Sequence, residues 1–318
     1  MQVIPLAADS MGVRSMATLV QAGGVRVLID PGAALAAQRH GLPPSAEEHA
    51  ALDGAHQRII GALCQADAVV VTPYHDDHAN LLQYVLSSAA LYLKRPSTAG
   101  ERRFARELFP RLTHTRRAFS EIDAATVTLR DLSLTFSPAL PHGKPGARSG
   151  SVSAVALRCP EGRFVFASDV QGPLGSETLD WLIDQRPDLV YLSGAPTYRV
   201  SFSAEPDPQE WSTADVRTAQ ANLLKLMTAT GCHVIVDHYL TRDPSYRRAY
   251  SEVFATGNAQ TAAEFLGRPE QLLEAHRGRG GSQAPMFAPH PNPLAGSWDG
   301  RSIPAADSAA SLPLATAV

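Results

Sequence analysis

The sequence predicts a layered α/β fold, and three observations carry that prediction. Short apolar, β-branched runs recur along the chain and alternate with longer segments of helical pattern. Five of these runs end in an imidazole or a carboxylate: at Asp30, at the cluster 75–78, at His142, at Asp169 and at His238. In layered α/β folds the residues at one sheet edge converge on a crevice. Donors scattered along the chain are therefore expected to meet.

Taken in order, residues 2–6 read as a first strand. Residues 13–21 and 25–29 are strand-like and meet at Gly23-Gly24, which predicts a two-residue hairpin because glycine tolerates positive φ. Asp30-Pro31-Gly32 ends the second strand as a turn with a carboxylate on its tip. Ser45 followed three residues later by Glu48 is a capping box, opening a helix to about residue 66. Residues 68–71 are an apolar β-branched run that reads as a buried strand. Pro73, which has no N–H for a strand ladder, stops it. His75, Asp76, Asp77 and His78 then follow within four residues. Nitrogen and oxygen donors held at the end of a rigid element are what a catalytic metal needs.

A helix is expected over 79–86, opening at the cluster, and a brief strand over 90–93. The segment 100–117 reads as helical, divided at Pro110. It carries Arg102, Arg103, Arg106, Arg111, Arg116 and Arg117, read as a solvated face in preference to a phosphate site. Residues 127–136 form a hairpin turning near Arg130-Asp131. The Pro- and Gly-containing loop 138–143 presents His142. A second hairpin, 152–158 with 163–167, ends at Ser168-Asp169. A helix over 177–185 and a strand over 188–192 follow, and 193–198 either lines the pocket or makes an ordinary turn. Ser212 or Thr213 caps a helix running to about 230. Residues 233–236 are a strand closed by Asp237-His238, with short helices over 246–254, 259–266 and 269–276. From 278 to 318 the composition turns to Gly, Pro, Ser and Ala without apolar periodicity. Such a segment cannot bury enough surface to offset its ordering entropy. It is expected to be a disordered tail, leaving 1–277 as the folded domain.

The totals narrow the function classes. A chain of 318 residues, 44% hydrophobic and 19% charged, is of ordinary globular composition. A net charge of -3 provides no overall basic field for nucleic acid or an anionic membrane, so neither is favoured as a partner. Cys64, Cys159 and Cys232 are widely spaced and form no CxxC, which suggests buried thiols in a reducing compartment. No run approaches the ~18 apolar residues of a membrane span, and no signal peptide is evident at the start. A soluble cytoplasmic protein acting on a small molecule is the expectation, with homo-oligomerisation left open.

At this point the sequence resembles the metallo-β-lactamase-fold hydrolases. Their signature, His-x-His-x-Asp-His after a strand, corresponds to Pro73-Tyr74-His75-Asp76-Asp77-His78, with three of four positions matched and proline in the first. The resemblance extends to Asp30 in Ile-Asp-Pro-Gly, to His142, to Asp169 in Ala-Ser-Asp, and to His238 after Val-Ile-Val-Asp. It covers nearly all of the chain up to about Arg277. Gly-Val-Arg-Ser at 12–15, Gly-Leu-Pro-Pro at 41–44, Ser-Asp-Val-Gln-Gly-Pro at 168–173 and Asp-His-Tyr-Leu-x-Arg-Asp at 237–243 look most like an archaeal-type branch.

The resemblance implies a four-layer αββα sandwich, two mixed sheets face to face between helices, with a metal crevice at one edge. It implies that Asp77 and His78 bind one divalent metal together with His238. His75 and His142 would bind a second, with Asp169 bridging both, and Asp30 would hold the loop. Pro73 offers no donor, so one firm site and a weaker or empty neighbour are expected. Zinc suits His and Asp donors, and manganese or iron would also fit carboxylate-rich ligation. A bound divalent ion lowers the pKa of water from 15.7 toward ~7, and Asp77 would additionally orient the nucleophile. The implied function is hydrolysis of an ester-like bond, a phosphodiester or phosphorylated small molecule first, a lactone or amide second. The rival is a degenerate, non-catalytic scaffold that lost a metal with the histidine at 73. Lys144 and Arg148, just beyond His142, are candidates to meet an anionic group.

Overall fold

Ala68–Val71 shows how the layers arise. Side chains alternate across a strand, and here both faces are apolar and fully buried. Ala68 and Val70 pack with Val20, Val27, Leu134, Phe136, Phe164 and Phe166. Val69 and Val71 pack on the opposite side with Ala55, Ile59, Leu63 and Leu108. Each valine so buried stabilises the fold by about 1.5–3 kcal/mol. The first set lies between two sheets and the second between a sheet and helices. The structure, a computed structural model, describes residues 1–81, 89–114, 119–200 and 210–278.

The first sheet has the order β1 (Gln2–Pro5), β2 (Thr18–Ala22), β3 (Val25–Ile29), β4 (Ala68–Val71), β5 (Ala90–Leu93), β6 (Phe119–Glu121). The strands from β3 to β6 run parallel. The crossovers include α1 (Ala46–Leu63), a four-residue helix α2 (Asp76–Ala79) and α3 (Ala99–His114). Next come β7 (Thr126–Leu129) and β8 (Leu132–Phe136), then β9 (Leu140–Pro141) paired with β10 (Ser151–Val152) as a separate ribbon. After these come β11 (Val155–Cys159), β12 (Gly162–Ala167), β13 (Leu189–Ser193), β14 (His233–Asp237) and β15 (Ala259–Gln260). The second sheet runs β15-β14-β13-β12-β11-β8-β7, parallel from β12 to β15. Its outer face is covered by α4 (Ser176–Asp184) and α5 (Thr213–Thr230), through Leu179, Leu182, Val216, Ala219, Leu223 and Leu226. Short helices α6 (Tyr246–Ala249), α7 (Ser251–Ala255), α8 (Ala262–Phe265) and α9 (Leu273–His276) complete the described chain. The expected four-layer αββα sandwich is the observed architecture.

The local signals explain most boundaries. Gly23 and Gly24 take φ of 54° and 70° between paired Ala22 and Val25, a two-residue hairpin. Ser45 and Glu48 exchange both bonds of a capping box at α1, and Ser212 does the same with Asp215 at α5. Gly231 ends α5 in the left-handed conformation.

Five expectations need correction. Cys64 is exposed, and only Cys159 and Cys232 are buried thiols. The strand expected over 13–21 is formed only from Thr18, because Val13 and Arg14 belong to a loop bridged to Ala34. Pro110 does not divide α3, which runs through it to His114. The cost of a helical proline, about 3 kcal/mol, is offset where Phe104, Leu108 and Phe109 pack on the first sheet's outer core. Ala259–Gln260 opens as a strand beside β14 before α8 begins. Lys144 does not face the crevice; its ammonium pairs with Asp215 at 2.9 Å and with the Glu210 carbonyl. Of the helix expected over 79–86, residues 82–86 lie outside the described residues, as do residues 115–117 of the helix expected over 100–117 and, from 279 on, the segment expected to be a disordered tail. Among the described residues, no helix is long and apolar enough to cross a membrane.

A buried ion pair closes the end of β5. The Lys94 ammonium reaches both Glu101 oxygens at 2.9–3.1 Å, and the Ser97 N–H and hydroxyl also donate to that carboxylate. Burial alone would raise the Glu101 carboxyl, but Lys94 and Ser97 outweigh it and hold it below its ordinary 4.5. A depressed folded-state value stabilises above the unfolded value and is lost as pH falls through the folded one. Glu101→Gln is therefore expected to cost about 3 kcal/mol near neutrality, since it leaves Lys94 buried without a counter-charge. In urea titrations that difference should shrink below about pH 4; a pH-independent difference would contradict the account.

Candidate metal centre

Parallel strands place their C-terminal ends at one edge, and these ends carry the polar groups. Asp30 follows β3, residues 72–78 follow β4, Ser168-Asp169 follow β12, and His238 follows β14. His142 enters from the end of β9. Asp30, Asp169, Gln171 and His238 take positive φ of 49°, 55°, 55° and 59°. A left-handed backbone at a non-glycine residue costs roughly 1–3 kcal/mol and persists only where the surroundings impose it. Here it turns each side chain off its strand into a shared space. Gly32 is required for a different reason. A Cβ there would run into backbone atoms of His78 and Ala79, so glycine lets the end of α2 lie directly against the β3 turn.

Asp169 is the centre of the arrangement. Its Oδ1 lies 3.4 Å from His78 Nε2 and 3.3 Å from His238 Nε2. Its Oδ2 lies 2.7 Å from His75 Nδ1 and 3.6 Å from His142 Nε2. Asp77 completes the first group, with one oxygen 4.0 Å from His78 Nε2 and the other 3.6 Å from His238 Nε2. The structure thus brings together all six residues singled out in the sequence: His75, Asp77, His78, His142, Asp169 and His238.

The buried polar atoms test whether a cation fits. His78 Nε2 and Asp169 Oδ1 are enclosed and have no hydrogen-bond partner among the described residues. An enclosed unpaired polar atom is costly, and the two face each other. A tetrahedral cation bound at about 2.0–2.1 Å sets its donors about 3.3 Å apart. The distances from the His78 and His238 Nε2 atoms to the Asp169 and Asp77 carboxylates, 3.3–4.0 Å, suit that requirement. Clusters His78/Asp169/His238, His75/Asp77/His78 and His75/His142/Asp169 each bring three donors within 4.8 Å of one another. The His75/His142/Asp169 group is less open, because the 2.7 Å contact makes His75 and Asp169 hydrogen-bonded to each other.

Two carboxylates fix the imidazoles from behind. His78 Nδ1 donates to Asp30 Oδ2 at 3.0 Å, and Asp30 is itself held by the Thr72 N–H and hydroxyl at 2.7 and 2.6 Å. His238 Nδ1 donates to Asp9 Oδ2 at 2.6 Å. A carboxylate can only accept, so in each neutral ring the proton sits on Nδ1 and Nε2 keeps its lone pair, which in His78 faces the crevice without a partner and in His238 accepts from Arg242 Nη2. Arg242 Nε donates to the other oxygen of Asp9 at 2.5 Å. Its Nη2 lies 3.1 Å from His238 Nε2 and 3.5 Å from Asp77 Oδ2.

The electrostatics point to a demand for positive charge. Burial opposes a charged His78, yet Asp169 and Asp77 hold its imidazole well above the ordinary range. Burial likewise opposes a charged Asp169, yet His78 and His142 hold it well below the usual carboxylate range. Asp77, against the same penalty, is lowered by His78, His238 and Arg242. His142, where burial prevails, is lowered. The carboxylates keep their charge and draw in protons or another cation.

Sequence reasoning did not identify Asp9, Arg242, Tyr239 or Gln171 as parts of this centre. Asp9 ends the apolar stretch 3–8, the same pattern that marks Asp30 and Asp169. Arg242 lies one helical turn beyond His238, inside the quoted Asp-His-Tyr-Leu-x-Arg-Asp. Gln171 lies two residues beyond Asp169.

The metallo-beta-lactamase superfamily profile matches residues 11–222. A UPF0282 protein of Methanopyrus kandleri is 36% identical over 297 residues, covering 87% of this chain and 98% of that protein. A UPF0282 protein of Thermococcus gammatolerans is 33% identical over 293 residues, covering 87% and 94%. Among solved structures, the isothiocyanate hydrolase from Delia radicum gut bacteria has a similar fold, with a TM-score of 0.52 and 16% identity over 82% of this chain and 95% of that one.

Proposed function

This chain belongs to the metallo-beta-lactamase superfamily, and from that premise we propose that it is a metal-dependent hydrolase of an ester-like bond. The observation that carries the reading is the enclosed pair His78 Nε2 and Asp169 Oδ1, facing each other without a partner. His78, His238, Asp169 and Asp77 would hold the firm cation, and His75, His142 and Asp169 a weaker neighbour. When bound, a divalent ion supplies an activated water at neutral pH and polarises the oxygen of the scissile group.

The chain's own residues do the rest. Asp30 and Asp9 hold His78 and His238 in the tautomer that presents Nε2. Asp77, partly open to solvent and kept ionised, would accept a hydrogen bond from the attacking water and aim it. Arg242 Nη2, 3.5 Å from Asp77 Oδ2, supplies the positive charge that helps keep Asp77 ionised. We assign this activity to residues 1–277, the last of which, Arg277, binds Glu48 of α1 through two hydrogen bonds. Zinc is the first candidate, with manganese or iron as alternatives; a phosphodiester or phosphorylated small molecule is the first substrate class, a lactone or amide the second. Pro73 favours one alternative, a binding scaffold without turnover.

Elemental analysis of the purified protein, followed by a phosphodiester and lactone screen with added zinc, manganese or iron, tests the reading. About one tightly held ion with turnover of either class is expected. A metal-free, stable protein inactive with all three ions would leave the scaffold standing.

A further inference from the structure

We propose that the Gln171 carboxamide is the donor that completes the second cation site, which Pro73 leaves one donor short. The inference rests on the metal reading above and adds a ligand to it. Gln171 is 4% exposed, and its amide lies 3.2 Å from His142 Nε2, the same nitrogen that faces Asp169 Oδ2 at 3.6 Å. The orientation shown puts the amide nitrogen toward that ring. A half-turn about the last side-chain bond exchanges nitrogen and oxygen with almost no change of shape. It would set the amide oxygen where the nitrogen now stands, 3.2 Å from His142 Nε2, a spacing that two donors of one cation share.

The backbone keeps Gln171 in that place. Its φ is 55°, followed by Gly172 at 80°, and its N–H donates to Ser193 Oγ at 2.8 Å. Gly143, the residue after His142, leaves room for it: a Cβ at 143 would run into the Gln171 carboxamide. Two loops thus accommodate one neutral amide beside a candidate ligand. The Tyr239 hydroxyl, also 3.2 Å from His142 Nε2, closes the other side. A carboxamide oxygen is a neutral donor, as an imidazole nitrogen is, so replacing one by the other leaves the charge of the site unchanged. Its hardness suits zinc less than manganese or iron.

Cobalt(II) and zinc titrations of the full chain, followed by calorimetry and by the visible cobalt spectrum, test this without any substrate. The wild type is expected to bind a first equivalent tightly and a second more weakly. Gln171→Leu should weaken the second by about 10–100-fold and leave the first unchanged. Gln171→Glu, close in shape and charged, should tighten the second by about tenfold or more and alter its cobalt bands alone. Circular dichroism confirms that each variant is folded, and if the leucine variant is not, the glutamate variant decides. A second equivalent indifferent to both changes, or a single equivalent in both wild type and Gln171→Glu, overturns the proposal while the first site stands. A wild type that binds no cation overturns the metal reading itself, and this ligand with it.

Discussion

Asp169→Ala is expected to lower turnover by at least about a thousandfold, on the order of 4 kcal/mol of transition-state stabilisation, while the chain stays folded. One carboxylate faces all four imidazoles, Oδ1 toward His78 and His238 and Oδ2 toward His75 and His142. Its loss removes a donor from both cation groups at once, which no other single change does. The fold should survive, because the sheets are held by the hydrocarbon between and outside them. An alanine at a φ of 55° adds only about 1–3 kcal/mol of backbone cost. Initial rates at saturating metal, bound metal by elemental analysis and a melting curve together make the measurement. Turnover retained at saturating metal would contradict the role assigned to Asp169.

Asp9→Ala should act on stability as strongly as on binding. Asp9 holds His238 Nδ1 at 2.6 Å and the Arg242 Nε at 2.5 Å, and all three side chains are buried. Removing the carboxylate leaves an enclosed guanidinium that has lost its nearer counter-charge and keeps only Asp77, at 3.5 Å. Breaking a buried pair from one side costs about 3–5 kcal/mol, to be read from the urea midpoint. It also frees the His238 ring to turn or change tautomer, so metal affinity should fall about 10–100-fold. Asp9→Asn separates the two effects. The amide can still accept from His238 but carries no charge for Arg242, so it should keep more of the metal affinity than of the stability. Equal loss of both would mean that Asp9 acts only through the fold.

The sandwich and its crevice were legible because strand-end chemistry is written locally. The run 68–71 announces a buried strand, Pro73 announces its end, and donors that follow such an end must lie at a sheet edge. The same pattern found Asp30, Asp169 and His238. Asp9 was missed although it ends an apolar stretch, because its partners Arg242 and His238 are more than 200 residues away and no local pattern joins them. Gln171 was missed because an amide between a carboxylate and a glycine reads as turn chemistry; only its approach to His142 gives it a role. Pro110 misled for the opposite reason. Propensity is local, and the packing of Phe104, Leu108 and Phe109 that overrides it is not.

The cluster draws His75, Asp77 and His78 from one sheet and Asp169 and His238 from the other. An ion gripped there would rivet the two halves of the sandwich along a rim where charged groups, and not hydrocarbon, meet. Loading would then be worth about 4 kcal/mol of folding free energy at a thousandfold excess over Kd. Stripped of its ion, the molecule would come apart first along that seam, and its resistance to heat would follow the supply of metal as closely as its turnover does.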